Sequence, residues 1–117
     1  MVRRPADDED LPNAWGLPAA SLRGAESWED AVERAAREKL GVRVVPGAVL
    51  NEGTKARQAY RLHMRLYEAA IAEGDIELDD PSNRGTRYVE WKWGEGTLLL
   101  PAAEQGSLCC RLFLESL

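Results

Sequence analysis

Residues 20–42 read Ala20-Ser21-Leu22-Arg23-Gly24-Ala25-Glu26-Ser27-Trp28-Glu29-Asp30-Ala31-Val32-Glu33-Arg34-Ala35-Ala36-Arg37-Glu38-Lys39-Leu40-Gly41-Val42, and the fold turns on this stretch. Ser27 followed by Asp30 has the form of a capping box, with Asp in place of the usual Glu or Gln. Trp28, Ala31, Val32, Ala35, Ala36 and Leu40 then recur at the spacing of one helical face. Gly41 follows directly and takes the left-handed conformation without a Cβ penalty. The pattern predicts a helix from Ser27 to Leu40 that stops at Gly41.

Working outward, residues 1–14 are polar and acidic, with Pro5, Pro12 and the run Asp7-Asp8-Glu9-Asp10, which predicts a solvated loop after a very short first strand. Trp15-Gly16-Leu17-Pro18 begins ordered structure. On the other side, Val42, Val44 and Val45 predict a strand that Pro46-Gly47 interrupts, and Asn51-Glu52-Gly53 predicts a further turn. From Ala59 to Ile71, Tyr60, Leu62, Met64 and Leu66 alternate with Arg61, His63, Arg65 and Tyr67, the period of a strand with one covered face. The part from Glu68 to Glu73 fits helix as well. Arg87 to Trp93 predicts another strand, ended by Gly94 and Gly96. Leu108, Cys109, Leu112, Phe113 and Leu117 after Ser107 predict an amphipathic closing helix.

The chain has 117 residues, 44% of them hydrophobic, enough for one α/β domain with its own core. Acidic residues outnumber basic ones by 20 to 15, and the net charge of −5 disfavours a nucleic acid polymer as partner. No apolar run is long enough to span a bilayer and the start lacks a secretory pattern, so no membrane partner and a cytoplasmic location are expected. The adjacent Cys109 and Cys110 bridge each other only with strain and read as free thiols, one of them packed inward.

In residues 20–42, Glu26, then seven residues, then Arg34, Glu38, Gly41 and Val42 fall in register with the Nudix box, G-x5-E-x7-R-E-U-x-E-E-x-G-U, where U is aliphatic. Ala36 fills an aliphatic position, Trp15-Gly16-Leu17-Pro18 is similar to the W-x-L-P that precedes the box in many members, and Tyr88 to Trp93 looks like their strand ending in Trp. The chain thus resembles the Nudix (MutT-like) hydrolases along most of its length. The resemblance implies an α/β/α sandwich with a small mixed sheet between the box helix and the C-terminal helix. Members begin with a strand or two ahead of the residues matching Val2 to Pro5. Residues 1–117 are therefore expected to form one domain lacking the usual first strand; either a partner chain supplies the open edge, as in a homodimer, or the sequence lacks its natural beginning.

In that family the box-helix glutamates hold Mg2+ or Mn2+, which neutralises a diphosphate and activates water for pyrophosphate cleavage. Here Ala20 replaces the box glycine, Ala35 the first helix glutamate and Lys39 the last. At about 100° per residue, positions 35, 38 and 39 share one side of a helix, so this side offers a methyl, a carboxylate and an ammonium. A charged amine beside Mg2+ costs on the order of a few kcal/mol at an effective dielectric near 20.

Carried over residue by residue, the resemblance gives Glu38 and Arg34 as catalytic, with Arg34 orienting Glu38, Glu38 and Glu26 at the metal, and Arg4 at substrate phosphates. Glu26 also favours the helix start through the macrodipole. The acids Glu73, Asp75, Glu77, Asp79 and Asp80 are either substitute ligands or a solvated turn. His63 reads as a surface residue. The four tryptophans either stack on a nucleobase or fill core and rim. Two functions follow: a weak pyrophosphohydrolase of nucleoside diphosphates linked to another moiety, or a catalytically silent Nudix-fold module binding a nucleotide-like ligand or a protein partner.

Overall fold

The computed structural model describes residues 1–78 and 87–117. Its organising element is α1, Trp28–Leu40. The Ser27 hydroxyl accepts from the Asp30 amide at 3.1 Å and Asp30 accepts from the Ser27 amide at 3.4 Å, so the predicted capping box is formed. At the other end Gly41 has φ +68°, its N–H donates to Arg37 O and the Val42 N–H to Ala36 O. These paired bonds satisfy carbonyls that the helix end would leave open and turn the chain directly into a strand.

That strand, β3, runs from Arg43 to Ala56 and pairs antiparallel with β4, Arg61–Glu73. Two expectations are corrected here. Pro46-Gly47 does not end the strand, because register shifts between Pro46 and Asn51 absorb the missing proline donor as bulges. Asn51-Glu52-Gly53 is not a turn: these residues pair with Leu66, Arg65 and Met64. The stretch from Glu68 to Glu73 is strand, its backbone groups being taken up by the first residues of β3.

Paired residues of an antiparallel ladder point to the same face. Gly53, opposite Met64, lies under Leu112 of α3 (Leu108–Glu115), and the Asn51 amide donates to Leu112 O at 2.9 Å. Glu52, opposite Arg65, points the other way, where the Trp28 ring of α1 lies 4.7 Å from the Arg65 guanidinium and 5.4 Å from the His63 ring. The two helices therefore cover opposite faces of the β3–β4 ribbon. This is the expected sandwich, a sheet between the box helix and the closing helix; only the single covered face read from the alternation after Ala59 is corrected, since residues that alternate as polar are roofed by a tryptophan.

A second antiparallel sheet has the order β2 (Trp15–Gly16), β1 (Val2–Arg3), β5 (Glu90–Trp91). All described pairings are antiparallel and divide into two sheets rather than one mixed sheet. The strand expected over Arg87 to Trp93 pairs only at Glu90–Trp91, because its partner β1 offers two residues. Gly96–Leu99 forms a 3₁₀ turn leading into α2, Leu100–Glu104, neither of which the sequence pattern predicts.

The core lies in two clusters. Ala36, Val42 and Val44, with Val32, Leu40 and Ile76 beside them, join α1 to β3. Leu99, Ala102 and Cys110, with Met1, Trp15, Leu17 and Phe113, join the C-terminal helices to the small sheet. Between these clusters runs the segment from Leu17 to Ser27, which carries the front of the box. Among the described residues no helix is long and apolar enough to cross a membrane.

Candidate functional site

Arg34 lies on the buried side of α1, 7% exposed, and is the only buried charged residue among those described. Its Nε donates to Glu26 Oε2 at 2.9 Å and its Nη2 to Glu26 Oε1 at 3.1 Å, a two-point guanidinium–carboxylate pair. Nη2 also donates to the Ser21 carbonyl, and Nη1 to Glu38 Oε2 at 3.3 Å, one helical turn on. Arg23 completes the arrangement from the loop: its Nη1 donates to Glu38 Oε1 at 3.1 Å and its backbone N–H to Glu26 Oε1 at 3.0 Å. Glu26, Arg34 and Glu38 are thus brought together, with Arg34 bridging the two carboxylates. Arg23 is a member to which the sequence reading gave no role. Its place three residues before Glu26 was the available signal.

The ion pairs set the local titration. Hydrogen bonding from Arg34 holds Glu26 below the ordinary glutamate value, against burial and with help from the Arg23 amide. At Glu38 burial pushes up, but the hydrogen bonds and charges of Arg23 and Arg34 outweigh it and the net shift is down. The Arg34 guanidinium is correspondingly raised, first by its bond to Glu26.

Lys39 is the next residue round the helix. Its ammonium donates to the Ala19 carbonyl and stands 5.7 Å from the centre of the Tyr88 ring. The Ala19 N–H in turn donates to the Tyr88 hydroxyl at 3.3 Å. Burial pushes the lysine pKa down, and the charges of Arg4, Arg34 and Arg23 push it further while Glu38 opposes them. Tyr88 is buried and raised to about 12, chiefly by desolvation.

Arg4 is not in the Arg34–Glu38 network. It bonds to Asp8 at 3.3 and 3.5 Å and, with Tyr88, Ser107 and Cys109, lines a cavity of about 10 Å³, room for roughly one water. Its positive charge nevertheless reaches Lys39. Arg3 is tied to Glu90 at 3.0 Å, joining β1 to β5. His63 is exposed and bonded to Glu52. Of the acidic stretch, Glu73 pairs with Arg43 at 3.1 Å, and Asp79 and Asp80 lie outside the described residues. Trp15 and Trp28 serve packing, whereas Trp91 and Trp93 are 38% and 77% exposed and meet edge to face at 6.4 Å.

The chain is similar to the crystal structure of a MutT protein from Methanosarcina mazei Go1, with a TM-score of 0.68 at 17% identity, over 98% of this chain and 76% of that one. The fold is MutT-like. No family model matches the chain, and no curated protein matches it in sequence.

Set in a MutT-like fold, the box can be tested for the divalent ion that the sequence resemblance implies. A hard cation needs several converging oxygens. Among the described residues no group of three His, Cys, Asp or Glu side chains converges anywhere. At the box both Glu38 oxygens and both Glu26 oxygens already receive N–H donors, and position 35 is a buried alanine. The donor set does not fit a divalent ion, and Arg23, Arg34 and Lys39 supply positive charge there instead.

Proposed function

We propose that this chain is a catalytically silent Nudix-fold module that binds a nucleotide-type ligand without a divalent metal. One observation carries the reading: Glu26 and Glu38 are both clasped by arginine, Glu38 from two sides at 3.1 and 3.3 Å. Carboxylates neutralised in this way have little charge left to attract a cation, and two guanidinium groups beside them repel one. The charges of Arg4, Arg23 and Arg34 all act on Lys39, and this gathering of cations supports a ligand carrying phosphate, for which guanidinium groups are suited donors.

A weak pyrophosphohydrolase is the second reading. The MutT-like fold and the register of Glu26, Arg34 and Glu38 favour it. It would take Mg2+ or Mn2+ and a nucleoside diphosphate linked to another moiety, and would require the clasp to open.

Calorimetric titration of nucleoside di- and triphosphates in chelator, beside phosphate-release assays in Mg2+ and Mn2+, decides between them. Binding in chelator without turnover is the expected result. Turnover that Glu38→Gln abolishes would replace it with the hydrolase, and a folded chain that neither binds nor turns over would point to a protein partner.

A further inference from the structure

Lys39 is a charged group of the box that stands outside the arginine clasp. Its ammonium is drawn off solvent against the Tyr88 ring and makes no ion pair among the described residues, its bonded partner being the Ala19 carbonyl. Two independent ties therefore cross from α1 to the segment before it: Arg34 to the Ser21 carbonyl and Lys39 to the Ala19 carbonyl. Both use a side-chain cation and a main-chain oxygen, flanking Ala20, which stands at the box glycine position. Cross-linking loop oxygens to a helix is also what a bound ion does.

We propose that Lys39 is the resident cation of this box: anchored on the Ala19 carbonyl and facing Tyr88, its ammonium docks the segment from Ala19 to Glu26 onto α1 in place of a divalent ion. The geometry supports this in three ways. Lys39 follows Glu38 on the helix, and the Glu38 charge acts on its ammonium. The Ala19 peptide is held at both ends, its N–H on the Tyr88 hydroxyl at 3.3 Å and its carbonyl on Lys39. A ring within about 6 Å of an ammonium favours the charged form there, which keeps the tie in place despite burial. The consequence is a box whose geometry is independent of metal and in which an added divalent ion meets a cation already present.

The proposal concerns loop docking alone and does not depend on any ligand, so it is tested without one. Amide hydrogen exchange and thermal melts are recorded on the full chain in chelator and in millimolar Mg2+, with Mn2+ line broadening as a third readout. The wild type should show the same exchange and melting midpoint in both media and no Mn2+ broadening at residues 19–26. Lys39→Met should speed exchange of the Ala19 amide about tenfold, indifferent to Mg2+, while amides in the middle of α1 keep their rates. Lys39→Glu should show the same loosening in chelator and keep it in Mg2+, because position 35 is still alanine and both Glu38 oxygens stay bonded to Arg23 and Arg34. Mg2+ protection or Mn2+ broadening in the wild type overturns the proposal, as does unchanged Ala19 exchange in Lys39→Met. Should Lys39→Glu fail to fold in either medium, the wild type and Lys39→Met decide by themselves.

Discussion

Arg34 shows how one residue fixes the meaning of its neighbours. Buried at 7% exposure and bonded to Glu26, Glu38 and the Ser21 carbonyl, it would leave Glu26 without its strongest partner and Glu38 with Arg23 alone if removed. Arg34→Met should destabilise the chain by about 2 kcal/mol, measured by urea unfolding, since hydrogen bonds to charged groups are the stronger class and an orphaned partner adds its own penalty. A loss within error would mean that solvent replaces the clasp at no cost. The cysteines separate at the same scale. Cys110 is fully buried and donates its thiol proton toward Cys109, which it pushes below the usual thiol range with help from the Ser107 hydroxyl. A thiol-specific reagent should label Cys109 first in the native protein and Cys110 only on unfolding, as mass spectrometry would read. Equal labelling would show that α3 opens readily.

Elements meet closely where α3 crosses β3. A Cβ built on Gly53 would lie 2.8 Å from Leu112 Cδ2, and Leu112 is 1% exposed. Gly53→Ala should therefore cost about 1–3 kcal/mol by overpacking and Leu112→Ala about 2–5 kcal/mol by leaving a cavity. The double variant should cost less than the sum, because the added methyl enters the space the leucine vacates. Additive losses in denaturant melts would remove the contact from the account of how helix and strand fit. The helix α1 was legible at this scale, with both caps written in neighbouring residues. The continuity of β3 was not: Pro46-Gly47 and Asn51-Glu52-Gly53 carry turn chemistry, and pairing with β4 overrides it.

At the scale of the whole molecule, several acids held below their ordinary values link stability to pH. Glu26, Glu38, Glu52 and Asp8 are all lowered, each with a basic side chain among the causes. The unfolded chain thus takes up protons before the folded one as pH falls, so this stabilisation is present above the ordinary glutamate value of 4.5 and is lost on acidification through the folded values. Midpoints recorded from pH 7 downward should be level at first and then fall below about pH 4.5, less steeply in Arg34→Met. An equal slope in the variant would place the linkage outside the box. β3 and β4 have no third strand among the described residues, and Val45, Val49 and Ile71 are exposed on them. Such an edge invites pairing, and sedimentation equilibrium is expected to record a dimer; a monomer at every concentration would leave the edge to solvent.

The sequence by itself determined what neighbours decide: the helix from Ser27 to Leu40 with its caps, the strand of alternating residues after Ala59, the closing helix, and the box register of Glu26, Arg34 and Glu38. Each rests on spacing or on hydrogen bonds between residues a few positions apart. The absence of acids at positions 35 and 39 was equally plain. Only the tertiary structure decided where the long side chains go. Arg23 reaches Glu38, Arg34 closes on Glu26, and Lys39 bends back to the Ala19 carbonyl, because the segment before α1 folds over that helix and supplies oxygens no linear pattern displays. The alternation after Ala59 did not by itself show that both faces of the β3–β4 ribbon are covered, since a period of two shows that faces differ but not which helix lies on each; only the family resemblance implied a helix on either side.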